Sequence, residues 1–262
     1  MAPIRTHLHS STFWSVSRPK FPLVAGHFVI RLNDPSIAFG RESAADLLRC
    51  YGHLRGALTE LAGATAAHLY IALHWQPVGD AIGEPLAETS TPTLHAFFAF
   101  PDSTTAAAVL RLPAHERVAV QDTLELDEAL RSWRGSAGAA EAAGAQPGED
   151  SIQESADRAF QIEAVSPDSS ESFRGGHWTA VPCSVNSLFD RMDPDSLVEL
   201  AGTMEGLATS AVPPFQGITS WVTDAWATSA PATIHIFARH HGDERQQVAS
   251  FVADGGLDFP LA

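Results

Sequence analysis

Thr93-Leu94-His95-Ala96-Phe97 decides how this chain is read, because Thr233-Ile234-His235-Ile236-Phe237 repeats its pattern far downstream. Both stretches run Thr-apolar-His-apolar-Phe, and both follow a proline-containing turn, at Pro92 and at Pro231. A period of two sends alternate side chains to opposite faces of a β-strand. Thr93, His95 and Phe97 therefore share one face, and Leu94, Ala96 and Phe98 the other. Thr233, His235 and Phe237 share a face in the second copy. One strand histidine is ordinarily a core or surface residue. Two in matching surroundings point to a duplicated unit.

The flanking elements repeat as well. In the first half, strand-like stretches at Phe13–Val16 and Phe28–Leu32 precede a helix predicted over Glu42–Ala62. The helix carries an apolar stripe of Leu47, Leu48, Tyr51, Leu54 and Leu58. A strand at Ala67–Trp75 and a Gly/Pro-rich loop at Gln76–Pro92 lead into the histidine strand. In the second half, Phe160–Val165 and Trp178–Val181 precede a helix over Asp193–Ala211, with Asp193 placed as N-cap before Pro194. Strands at Ile218–Trp226 and Thr233–Ala238 complete it. Each second strand opens with Gly-His, at Gly26-His27 and Gly176-His177. His27 lies 43 residues before Tyr70, and His177 lies 43 before Ser220. The first half then has about ten more residues before its histidine strand.

Residues 1–12 read as a loose tail, and Asp122–Arg134 as a short helix. Gly135–Ser155 is rich in Ala, Gly, Glu and Gln, has too little apolar surface to fold, and reads as a flexible linker. The expected organisation is an α+β fold of two units, 13–134 and 158–262, joined by a linker at 135–157.

The chain has 262 residues, a formal net charge of −15 and a single lysine, Lys20. Nucleic-acid binding needs a basic surface to neutralise phosphates, so this balance argues against a nucleic-acid partner. Cys50 and Cys183 have neither metal-type spacing nor a disulfide framework. No apolar run is long enough for a membrane span, and the N-terminus lacks a signal-peptide pattern. The expectation is a cytoplasmic protein without a membrane partner.

The repeated unit resembles the histidine-triad (HIT-like) superfamily. That superfamily includes dinucleoside polyphosphate hydrolases, galactose-1-phosphate uridylyltransferases and diadenosine tetraphosphate phosphorylases. The resemblance rests on the Gly-His-led strands, the long helix and the histidine-bearing closing strand, and covers about residues 13–101 and 158–241. It implies an antiparallel sheet with one long helix per unit, two units fused as a pseudo-dimer, and a small-molecule, possibly nucleotide, substrate. It also implies that the triad's middle histidine, the nucleophile, falls on His95 and His235. The histidine after the strand-opening glycine falls on His27 and His177. The outer triad positions depart from the family pattern: Thr93 and Thr233 replace the first histidine, and Phe97 and Phe237 replace the third.

Nucleophilic attack on phosphorus needs a neutral imidazole nitrogen and donors on the phosphoryl oxygens. Phenylalanine cannot donate, so other donors are required. Thr93, Thr233 and Arg31 are candidates for substrate contact. His68 and His74 share a strand face with Tyr70 and bound a polar pocket with His27 and His95. Trp221 and Asp224 sketch a second pocket beside Trp226. Arg239 follows the last strand as a phosphate or carboxylate contact. No metal ligand set and no cofactor motif is recognised. Three functions stay open: nucleotidyl transfer or phosphohydrolysis through His95 or His235, general acid–base catalysis on a non-nucleotide molecule of specialised metabolism, and ligand binding without catalysis. The chain is expected to work as a monomeric pseudo-dimer or as a homo-oligomer.

Overall fold

The computed structural model describes residues 7–74, 82–85, 93–101, 103–135, 159–165, 176–183, 188–227, 232–240 and 247–258. Its strands are β1 (His7–Ser10), β2 (Trp14–Ser17), β3 (His27–Leu32), β4 (Ala66–His74), β5 (Thr93–Ala99), β6 (Phe160–Ala164), β7 (Gly176–Pro182), β8 (Gly217–Asp224) and β9 (Thr233–Arg239). Its helices are α1 (Arg41–Ala62), α2 (Ala106–Leu110), α3 (Leu124–Ser132), α4 (Pro194–Ser210) and α5 (Gln247–Ala253). The strands form one antiparallel sheet in the order β1-β2-β3-β5-β4-β8-β9-β7-β6.

From β2 to β6 that order reads the same inward from either end once each strand is matched to its repeat. The registers repeat too. His27 stands opposite Phe97, and His177 opposite Phe237. Tyr70 stands opposite His95, and Trp221 opposite His235. Across the central β4–β8 seam, Tyr70 and Trp221 face each other. The counterpart of Tyr70 is therefore Trp221 rather than Ser220, the residue that the equal spacing selected. Ser220 pairs with Ile71 and Ile236, one position along, and so points to the other side of the sheet.

α1 and α4 lie on one face of the sheet. Leu47, Leu54 and Leu58 of α1 and Leu197, Leu200 and Met204 of α4 pack with Phe28, Ile30, Leu94, Phe98, Ile234 and Ile236. α1 starts where the Gly40 N–H donates to Ser43 Oγ at 2.9 Å. It ends at Gly63, whose φ of +66° suits the left-handed cap, with Ala64 N–H returning to Leu58 O. α4 begins as expected, with Asp193 extended at the N-cap position and Pro194 first in the helix, though the Asp193 side chain makes no capping bond.

The opposite face carries the histidines and a smaller apolar cluster, in which Tyr70, Phe97, Trp221 and Phe237 meet Ala107, Leu110, Val248, Val252 and Leu257.

Two expectations change. Residues 7–10 of the supposed tail form β1, which pairs with β2 and buries Leu8. One apolar residue in four gave the sequence no strand pattern there. α5 is an addition: the charged run from Arg239 to Arg245 reads only as a solvated loop or helix start, and the apolar face that follows is short. Of the linker only Gly135 is described; the rest lies outside the described residues. No described helix is long and apolar enough to cross a membrane.

Candidate active site

Backbone proximity at the start of β3 places the first histidine. A Cβ at Gly26 would lie 2.1 Å from the Phe98 carbonyl oxygen, so only glycine lets these chains meet. Phe98 N–H donates to Gly26 O across this approach. His27 then lands beside Phe97, with ring centroids 4.1 Å apart, and its Nε2 lies 2.9 Å from His95 Nδ1. The second half repeats the arrangement. His177 stacks on Phe237 at 4.4 Å, and its Nε2 lies 3.1 Å from His235 Nδ1. Phe97 and Phe237 thus serve as platforms for the two Gly-His rings.

Each closing-strand histidine belongs to a row of directly opposed residues. Read across six strands, the row is Val29, His95, Tyr70, Trp221, His235 and Thr179. His95 and His235 are three strand spacings apart, roughly 14 Å. Two aromatic rings fill the interval: Tyr70 and Trp221 have centroids 5.0 Å apart.

A lid of chain closes over the middle of this row. Trp221 Nε1 donates to Gly83 O at 3.1 Å. Glu84 is completely buried and forms an ion pair with Arg239. Arg117 Nη1 donates to Glu84 O at 2.5 Å. α5 lies alongside, with Val248 and Val252 in the apolar cluster and the Phe251 ring 4.5 Å from that of His235.

This cover treats the two dyads unequally. His95 is 3% exposed and His27 1%, whereas His177 and His235 are only half-buried. Burial lowers the affinity of each ring for a proton. It brings His95 down to about 3, and takes His27 well below the usual imidazole range with help from His95 and Arg18. Burial and then the neighbouring His235 bring His177 to about 4; His235 is lowered by burial.

The structure brings together most of the residues singled out in the sequence. Thr93 and Arg31 are opposed on the histidine face, one row along from His95, and Arg31 forms no ion pair among the described residues. His68 lies in the row of Phe97, buried, with Nδ1 3.1 Å from Thr223 Oγ1. Thr233 stands opposite Thr223 and is exposed. Trp221 is in the central row, and Arg239 is tied to Glu84.

Asp224 lies elsewhere. It is buried on the helix-bearing face, where it accepts from the Tyr51 hydroxyl at 2.7 Å and from Phe189 N–H at 3.2 Å. Trp226 packs with the helix-side core, so Trp221, Asp224 and Trp226 do not form one pocket. The β4 backbone at His74 pairs with Ile218 after a register shift, and its side chain lies outside the described residues. Among the described residues no group of three or more His, Cys, Asp or Glu is placed to hold a metal ion. Sequence reasoning missed Glu84, Phe251 and the central role of Tyr70. Glu84 sits in a polar loop with nothing local to mark it. Tyr70 carried a signal in the spacing, which pointed one residue away from its true counterpart.

No family model matches the sequence, and no curated protein matches it. Among solved structures, a GALT-like protein from Arabidopsis thaliana is similar, with TM-score 0.47 and 11% identity over 91% of this chain and 80% of that one. An ADP-glucose phosphorylase from Arabidopsis thaliana, solved with bound ADP-glucose, gives TM-score 0.47 and 9% identity over 91% and 77%. A uridylyltransferase mutant gives TM-score 0.43 and 11% identity over 90% and 72%. These are likenesses of chain path.

Proposed function

We propose that this chain is a tandem HIT-like enzyme that acts on a nucleotide or another phosphorylated small molecule through a histidine. Its two units, 13–134 and 158–262, are joined by the linker at 135–157 into a pseudo-dimer. The observation that carries this reading is the duplicated dyad: His27 against His95 and His177 against His235, in the same register and through the same ring atoms.

His235 is the acting group, because its ring is half-buried while that of His95 is sealed. With His235 Nδ1–H donating to His177 Nε2, the lone pair on His235 Nε2 attacks phosphorus and the bond to the leaving oxygen breaks, its electron pair going to that oxygen. Water or an acceptor hydroxyl then attacks the phosphorus, the P–N bond breaks with its electron pair returning to His235 Nε2, and the proton shed by the attacking oxygen passes to the departed leaving oxygen or to solvent. The exposed Thr233 supplies a hydroxyl on the same face.

A second reading has an observation of its own. Phe251 and Phe237 flank His235, and the Arg239 charge beside them is neutralised by Glu84. Such surroundings also suit general acid–base chemistry on an uncharged aromatic molecule.

Intact-mass spectrometry separates the two. The protein, His95→Ala and His235→Ala are incubated with nucleoside triphosphates, nucleotide sugars and dinucleoside polyphosphates. A nucleotidyl-sized mass gain, kept in His95→Ala and lost in His235→Ala, is the expected result. No gain with any donor, together with thermal stabilisation by uncharged aromatic compounds alone, would replace the first reading by the second.

A further inference from the structure

The dyads look alike, yet hydrogen-bond donors around the first remove its freedom. Leu23 N–H donates to His27 Nδ1 at 3.1 Å. That nitrogen must therefore offer a lone pair, and the proton of neutral His27 must sit on Nε2. His27 Nε2 faces His95 Nδ1, so it donates there, and His95 Nδ1 must be the acceptor. The proton of His95 is thereby forced onto its own Nε2. A backbone amide thus dictates, through two rings, which nitrogen of His95 carries hydrogen.

A second proton has nowhere to go. On His27 it would set an N–H against the Leu23 N–H. On His95 it would set an N–H against the N–H of His27. The groups around the pair reinforce this. Arg18 donates to the carbonyl of His27 at 2.9 Å and so holds a positive charge beside the ring. Asp127 on α3 is committed to Arg18 at 2.6 Å. Tyr70 on β4 and Phe97 on β5 supply rings and no carboxylate. No acid among the described residues faces either imidazole to reward its protonation.

We infer that the two dyads have divided roles: Leu23 and His27 fix His95 as a permanently neutral ring that can only donate from Nε2, and proton exchange or nucleophilic attack is left to His235. His27 is a positioning residue in this account. His95 can hold an oxygen of a ligand, such as a phosphoryl or carbonyl oxygen, but it can neither attack nor accept a proton without breaking the relay. The second half of the inference rests on the reading of His235 given above; the first half stands without it.

The test begins with the unaltered protein, labelled with 15N and observed through long-range proton–nitrogen correlations of its imidazoles. His27 and His95 are each expected to show a pyridine-type Nδ1 and a pyrrole-type Nε2, unchanged from pH 8 to pH 5. His177 and His235 are expected to move first on acidification. A protonated Nδ1 on His95, or its titration above pH 5, would overturn the assignment. Activity supplies the second arm. Glutamine can donate roughly where Nε2 does but can neither attack nor relay protons, so His95→Gln should lower adduct formation only several-fold, by loosening the hold on the ligand oxygen, while His235→Gln loses at least about a hundredfold. Loss in His95→Gln with retention in His235→Gln would reverse the roles. A confirmed relay with no adduct from any donor would leave the fixed tautomer standing and remove the nucleotidyl-transfer reading.

Discussion

Tyr70 and Trp221 stand directly opposite each other at the centre of the sheet, and each is bordered on its outer side by one of the paired histidines. His95 and His235 are therefore held at a fixed separation by packed rings. What happens to those rings should be felt throughout the histidine face.

Trp221 is fully buried and ties the sheet to the segment above it through Gly83. Trp221→Ala should lower stability by about 3–5 kcal/mol, in the range for large aromatic deletions. Urea unfolding followed by far-UV circular dichroism would measure it. A loss below about 1 kcal/mol would mean that the central rings are not packed as described.

The Glu84–Arg239 pair is buried in the same layer. Removing one partner takes the opposite charge from the other, so Glu84→Gln or Arg239→Met should each cost about 3–5 kcal/mol. The double variant should recover much of this loss. A double-mutant cycle in urea measures the coupling, and strict additivity would show that the two charges do not interact.

Acid should unfold the protein through its histidines. In the unfolded chain these rings take protons below about pH 6.5. In the fold His95 holds off to about 3, and His68 and His177 to about 4. Between those limits the unfolded state binds more protons, so stability falls as the pH drops. At pH 5 the buried His95 alone should account for about 2 kcal/mol of the loss. Urea midpoints from pH 8 to pH 4.5 would check this, and His95→Gln should flatten the slope. A stability flat from pH 7 to pH 5 would contradict the burial of these rings.

Gly26→Ala should disrupt the first dyad without touching a histidine. The added methyl would meet the Phe98 carbonyl at 2.1 Å, and backbone cannot yield as a side-chain tip can. A loss of about 1–3 kcal/mol is expected, the usual cost of overpacking. The shifts of His27 and His95 should change in the same spectra. A variant with wild-type stability and unchanged His27 resonances would refute the close approach.

Much of this was legible in residue order. Alternation in Thr93–Phe97 and Thr233–Phe237 placed His95 and His235 on one face, and Gly26-His27 and Gly176-His177 identified their partners. The long helices α1 and α4 followed from their apolar stripes. What remained hidden depended on contacts far apart in sequence. Asp224 looked like part of a pocket because two tryptophans are near it in the chain. Strand alternation sends Trp221 to one face and Asp224 to the other, where Tyr51 claims it. Glu84 had no local pattern to announce a charge that would be buried against Arg239. The relay from Leu23 was invisible, because it needs the geometry of a turn rather than a residue type.

The seam between β4 and β8 has one more consequence. Among the described residues nine strands share one hydrogen-bonded sheet, and its central ladder joins the two halves of a single polypeptide. Separate halves would each present an unpaired edge along that ladder and would meet only by collision. Covalent connection replaces that bimolecular encounter with an intramolecular one. The mutual placement of His95 and His235 is thus independent of protein concentration, and dilution does not separate them.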